Sequence, residues 1–320
     1  MLLELAMICV GFVLLVKGAE YLVKGGSHIA QRFGVSYFVI GLTIVAFGTS
    51  MPEFVVNVHS AIRGTTDIAV GNILGSNMAN MLLVIGLTAI IAPIEVNRYA
   101  KTRDIPMALF SAVILLVLSA DAVLFGAGDN ILARYDGVIM LVIFAVYMAR
   151  VFTSTRNEMQ DEEIFDEEIP LAKSLVYIAG GLVGLYYGGE LIVDNAVLLA
   201  REYEISEILI SSTIIAFGTS LPELATSLMA AVRGRCDIAV GNVIGSNIFN
   251  TFWVLGATCI IRPIHLAPSI LGDIAIVGAS TLLLLLLINS FGKREIIQKP
   301  TGMVLFSIYV LYIVMLVVRG

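Results

Sequence analysis

Charge is scarce in this chain: of 320 residues only 14% are Asp, Glu, Lys or Arg, while 58% are hydrophobic and the mean hydropathy is +0.95. Soluble domains carry about 25% charged and about 45–50% apolar residues, so the composition excludes a soluble globular domain and points to an integral membrane protein. Cysteine is nearly absent. Cys9, Cys236 and Cys259 form no C-x-x-C pair, which excludes a disulfide framework or a thiolate metal centre and leaves them as core or surface thiols. His28, His59 and His265 are unclustered and share no metal-ligand spacing, so they read as surface or packing residues. No basic tract is present, which argues against a nucleic-acid partner, and the net charge of −6 comes largely from one acidic stretch. The alternating ten-residue segments of an outer-membrane barrel are also missing; the apolar runs are about 20 residues or longer and span as helices. The first of them lacks a basic start and a small-residue cleavage site, so it is kept as a helix and not read as a signal peptide.

What the chain does have is a duplication. GLTIVAFGTSMPEFVVNVHSAIRGTTDIAVGNILGSNMAN at 41 to 80 returns as SSTIIAFGTSLPELATSLMAAVRGRCDIAVGNVIGSNIFN at 211 to 250, at a constant offset of 170 with no gap. Gly11, Gly18, Glu20 and Ala30 match Gly181, Gly188, Glu190 and Ala200 at the same offset, so the repeated unit is a whole half. Apolar windows predict ten spans, near 2–29, 36–61, 67–92, 104–125, 132–153, 172–200, 206–231, 237–262, 270–290 and 301–319. Five spans per half oblige the second copy to enter the membrane from the opposite side. The expected fold is therefore an all-α polytopic membrane protein of ten transmembrane helices in two inverted five-helix repeats: 1–153, an acidic linker at 154–170, and 171–320.

Taken loop by loop, thirteen Lys and Arg fall on one side and five on the other, with Lys17 inside the first span. The richer side is cytoplasmic by the positive-inside rule, which places both termini outside and the linker, with seven carboxylates from Glu158 to Glu168, in the cytoplasm as a solvated connection. The expected location is the plasma membrane.

Each copy puts one carboxylate, Glu53 or Glu223, directly after a proline in an apolar stretch, where an unpaired charge in lipid costs about 2.5 kcal/mol or more. Pro52 and Pro222 lack an N–H, so the carbonyls of Gly48 and Gly218 lose their helical partners and each helix kinks or unwinds. Irregular backbone at membrane depth is tolerated where protein or a water-lined cavity takes up the freed groups. Thr49 lies four before Glu53 and Ser50 three before it, so both hydroxyls can share the carboxylate's face; Thr219 and Ser220 repeat this. The following span offers Ser76 and Asn80, or Ser246 and Asn250, four apart on one face toward the Glu-bearing helix. A proline kink that serves packing alone is the alternative, and its recurrence with a Glu in the same place weighs against it. Asn72, Asn77, Asn242 and Asn247 read as structural amides bonded to neighbouring backbone, and Asp67 and Asp237 as helix caps. Glu20, with Lys17 three before and Lys24 four after, reads as a helix-face ion pair. The collected set is all oxygen, which suits hard cations: Ca2+ takes six to eight oxygens, and two carboxylates neutralise one divalent ion.

AFGTSMPE, AFGTSLPE, GNILGSNMAN and GNVIGSNIFN resemble the paired α-repeats of the sodium/calcium exchanger branch of the calcium/cation antiporter superfamily, across essentially the whole chain. The resemblance implies ten helices in two inverted halves, and exchange of cytoplasmic Ca2+ for external Na+ by alternating access, gated by sliding of the first helix of each half. It implies Glu53 and Glu223 as central Ca2+ ligands, and Thr49, Ser50, Thr219 and Ser220 with the carbonyls of Ala46 and Ala216 at flanking cation sites. Ser76, Asn80, Ser246 and Asn250 complete them. Archaeal exchangers of this type can carry Asp at the last position, so Asn250 removes a third carboxylate and the family's Na+ stoichiometry is not transferred. Asn there is also the residue of K+-independent members.

The expected function is thus Ca2+/Na+ antiport, with Ca2+ and Na+ as cargo, the bilayer as surroundings, no cofactor, no enzyme activity and no obligatory protein partner. Ca2+/H+ exchange on the same fold is the alternative, although its branch favours a GNATEL-like motif. A cation channel is less suited to a chain that holds its own pseudo-symmetry, and an intramembrane hydrolase lacks a GxGD-type or HExxH signature.

Overall fold

The computed structural model describes residues 2–126, 129–154, 169–203, 216–267, 269–290 and 296–319. The chain is mostly helical: α1 (Leu2–Phe33), α2 (Tyr37–Thr49), α3 (Met51–Arg63), α4 (Ile68–Ile91), α5 (Ile105–Leu118), α6 (Arg134–Ser154), α7 (Leu171–Glu202), α8 (Leu221–Val232), α9 (Cys236–Ile261), α10 (Ile270–Ser290) and α11 (Lys299–Arg319). Among the described residues seven helices are long and apolar enough to cross a membrane, and α2 with α3, bent by 44°, makes an eighth if the pair is taken as one span. This is a multi-pass membrane protein. Of the other expected spans, 104–125 appears as α5 led by a wide turn at Ala100–Asp104 and followed by a short helix, Asp121–Phe125. In the expected span 206–231, residues 206–215 lie outside the described residues, as does most of the acidic linker.

α1 and α7 are 32 residues each, about 48 Å long, and lie against one another along their length. Their seam is bare backbone. A Cβ on Gly18 would meet the Leu185 nitrogen at 2.7 Å, and one on Gly181 the Leu22 nitrogen at 2.7 Å, so only glycine permits this approach.

α4 and α9 are central, with 83% and 78% of their spanning windows buried, against 22% for α1 and 33% for α7. α2 packs on α9, α6 on α9, α4 on α11 and α5 on α10, and one hydrophobic core runs through both halves, from Phe38 and Leu82 to Phe252 and Leu305. Among the described residues two small antiparallel ladders tie loops of one half to loops of the other. β1 (Ile94–Glu95) pairs with β4 (Ile296–Ile297), and β2 (Asn130–Leu132) with β3 (Ile264–Leu266).

Both central helices widen into a π-helical turn at the same repeat position, Ala79–Val84 and Phe249–Val254. One extra residue in a turn rotates the face beyond it by roughly 100°. Asn80 and Asn250 sit in these turns.

Candidate ion-binding site

The break between α2 and α3 falls at Ser50 (φ −83°, ψ 6°), two residues before Pro52, as the missing N–H dictates. In the second copy Ser220 has the same backbone (φ −90°, ψ 2°) between the turn Ala216–Gly218 and α8. Each break starts a new helix whose first turn carries the glutamate, so the partial positive charge of the helix start faces it.

Glu53 and Glu223 are both fully buried. Ser76 donates to Glu53 Oε1 at 3.1 Å and accepts from Asn250 Nδ2 at 3.1 Å. Ser50 donates to Glu223 Oε1 at 3.2 Å, Ser246 reaches the same oxygen at 3.5 Å, and the Thr49 and Ser246 hydroxyls are 3.5 Å apart. Asn80 donates to Asn247 Oδ1 at 3.0 Å. Among the described residues no Lys, Arg or His lies within 4 Å of either carboxylate. Two acids buried without a cation cost several kcal/mol each.

Five buried oxygens of this cluster have no hydrogen-bond partner: Glu53 Oε2, Glu223 Oε2, Asn80 Oδ1, Asn250 Oδ1 and Ser220 Oγ. The Ala46 carbonyl accepts from the Ser50 N–H at 3.0 Å and lies 3.3 Å from the Thr49 hydroxyl. Thr219 is half-buried and lines a cavity of about 160 Å3 with Glu190 and with Pro52 and Pro222, the residues before the two glutamates. Ala216 begins its short turn, and its side chain lies outside the described set.

Helical register put Thr49 and Ser50 on the face of their own Glu53. The structure sends both to the other half: Ser50 to Glu223, and Thr49 to Asn242 Oδ1 at 3.0 Å. The 44° break carries them across. Asn242, expected to be a structural amide, is also part of the cluster. Its Nδ2 donates to Ser227 Oγ at 2.9 Å and the Glu223 carbonyl at 3.3 Å. Asn77 and Asn247 bond across the halves, to Thr251 Oγ1 at 3.0 Å and to the Asn77 carbonyl at 3.2 Å. Asn57, one turn after Glu53, donates to the Glu53 carbonyl at 2.8 Å; its four-residue spacing from Glu53 was the available signal.

Asp237 is not a cap. It lies inside the helix start and accepts from Asn97 Nδ2 at 2.7 Å, while the side chain of Asp67 is outside the described set. Glu20 pairs with Lys17 at 2.8 Å, but its second partner is Arg233 at 2.5 Å; Lys24 lies instead over the Tyr177 ring, 5.7 Å from its centroid. Next to the glutamate-bearing segment aromatic rings pack between the halves, Phe47 and Phe54 against Trp253 at 5.6 and 4.6 Å and Phe47 against Phe249 at 5.8 Å.

The chain matches the family described as sodium/calcium exchanger protein over residues 3–153 and 173–318. It is 38% identical over 320 residues to the putative antiporter CaxA of Alkalimonas amylolytica, covering 98% of both chains. Over 339 residues it is 32% identical to the sodium/calcium exchanger MaX1 of Methanosarcina acetivorans, covering 96% of both. Its fold is similar to that of the sodium-calcium exchanger NCX_Mj soaked with 2.5 mM Na+ and 0.1 mM Ca2+, with a TM-score of 0.81, 33% identity and 98% of both chains covered.

Proposed function

The chain belongs to the sodium/calcium exchanger family of membrane cation antiporters, and on that premise we propose that it exchanges Ca2+ for Na+ by alternating access at the buried glutamate pair. The observation that carries this reading is the set of five unpartnered buried oxygens on Glu53, Glu223, Asn80, Asn250 and Ser220. They are hard donors carrying two formal negative charges, which suits one dehydrated Ca2+. Ser50, Ser76 and Ser246 already touch the carboxylates and can turn their oxygens toward an ion. Thr49, Thr219 and the carbonyls of Ala46 and Ala216 supply flanking Na+ ligands. For Ala46 this requires the Thr49 hydroxyl, now 3.3 Å away, to rotate off.

Coupling is competition. Na+ ions that use overlapping oxygens displace Ca2+, because two carboxylates cannot satisfy both loads at once. The sodium/calcium exchangers among the relatives support Na+ as counter-ion. The remainder of the architecture is part of the same proposal: ten spans in two inverted halves, 1–153 and 171–320, joined by the linker 154–170, with both termini outside the plasma membrane.

The test is flux in sealed proteoliposomes with the Na+ and H+ gradients imposed separately. Ca2+ uptake driven by Na+ and abolished by Glu53→Gln or Glu223→Gln is expected. Uptake driven by the H+ gradient alone assigns the carboxylates to Ca2+/H+ exchange, and Ca2+ flux without any counter-ion overturns the antiport.

A further inference from the structure

The offset of 170 that relates the two glutamates also relates two other charged pairs: Glu20 corresponds to Glu190, and Arg63 to Arg233. In the structure only one of the two cross-half ion pairs is made. Glu20 of α1 holds Arg233, just past the end of α8, at 2.5 Å. Glu190 of α7 and Arg63 at the end of α3 are both exposed, and no described cation lies within 4 Å of Glu190.

The packing around the two pairs differs in the same sense. α1 lies along α8, where Val23 and Thr226 are buried. α7 makes no comparable packing on α3; the equivalent Val193 is half-buried and Val56 is exposed, and both line the cavity of about 160 Å3 that also holds Glu190. One corner is shut and latched while its repeat counterpart is open and unlatched. Because α1 and α7 are joined along a backbone-to-backbone seam, a shift that lifts α1 from α8 carries α7 with it.

Resting on the alternating-access reading above, we propose that Glu20–Arg233 and Glu190–Arg63 are reciprocal latches, the first closing one side of the transporter and the second forming when the other side closes. An exposed ion pair suits the role. It biases a two-state equilibrium by about two- to fivefold, enough to hold a side shut and little enough to be broken each cycle. Lys17, 2.8 Å from Glu20, gives that acid a second partner when Arg233 leaves. The position equivalent to Lys17 is Tyr187, so Glu190 has no second cation; its partner in this state is the neutral Tyr186 hydroxyl, four residues before it.

The experiment uses Thr226→Cys as a reporter of the shut corner, in a background of Cys9→Ala, Cys236→Ala and Cys259→Ala, with purified protein in nanodiscs free of Na+ and Ca2+. Labelling by a soluble maleimide requires that corner to open, so its rate follows the minor population. Glu20→Gln and Arg233→Gln are expected to raise the rate about two- to fivefold, and Glu190→Gln and Arg63→Gln to lower it by a similar factor. The exchanged pair Glu20→Arg with Arg233→Glu should return the rate to within about twofold of the parent, which a loss of folding does not do. Rates that move the same way for both pairs, that do not move, or that the exchange fails to restore overturn the latches. Labelling needs no transport, so the outcomes separate. Shifts as stated without Na+-driven Ca2+ uptake keep the latches and reject Na+/Ca2+ exchange, while normal exchange with unmoved labelling does the reverse.

Discussion

The two copies of the A-F-G-T-S-x-P-E segment are nearly the same in sequence, yet their glutamates stand in unequal surroundings. Glu223 has two hydroxyls on one carboxylate oxygen, from Ser50 and Ser246, and Glu53 has one, from Ser76; the backbone carbonyl of each accepts an amide, from Asn242 and Asn57 respectively. Ser50 crosses to the other half, while its counterpart Ser220 is buried with a hydroxyl that meets nothing. A duplicated sequence therefore fixes which donors are present, and the conformation decides which half they serve. Equal sequences in unequal places are what a molecule with two interchangeable states requires.

The comparison can be broken in several ways. Glu53 and Glu223 supply the two formal charges that offset a bound Ca2+, so Glu53→Gln and Glu223→Gln should each reduce Na+-driven Ca2+ uptake on the order of 100-fold or more; isotope uptake that is near normal in either one removes that residue from the site. A smaller effect should divide the two asparagines. Asn242→Ala removes the hydrogen bonds to Thr49, Ser227 and the Glu223 carbonyl and is expected to destabilise the ion-free protein by about 2 kcal/mol, whereas Asn72, whose amide nitrogen has no partner, should tolerate Ala with little change in thermal unfolding. Smaller again, Ser50→Ala removes a hydrogen bond to a carboxylate and should cost about 1.5 kcal/mol without ions, and Ser220→Ala close to nothing. Equal losses for Ser50 and Ser220 would show that the ion-free protein populates both arrangements. Acid should then act on both halves alike: each carboxylate oxygen that binds Ca2+ also binds a proton, so Ca2+ affinity measured by isotope binding should fall as pH is lowered.

The duplication, the apolar spans and the proline-broken helix were legible because each rests on local chemistry: offset identity, hydrophobic length and a missing N–H at Pro52. The buried pair Glu53 and Glu223 was legible for the same reason. What the residues around them do was less so. Register on an unbroken helix assigned Ser50 to Glu53, and the break at Ser50 sends it to Glu223. The π-helical turns at Asn80 and Asn250 carry no compositional mark, since neither proline nor glycine lies within them. Asn242 looked like a packing amide because its partners, Thr49 and Ser227, come from elements that only the tertiary fold brings near.

The contact of α1 with α7 through bare main chain has a consequence for how the molecule is held together as a covalent object. Surfaces that fit by shape find each other without a tether, so the connection at 154–170 is dispensable to their recognition. Segments 1–153 and 171–320 made as separate polypeptides are expected to copurify, and a single methyl placed on Gly18 or Gly181 should loosen the α1–α7 seam while the core shared by α4 and α9 keeps the two segments together.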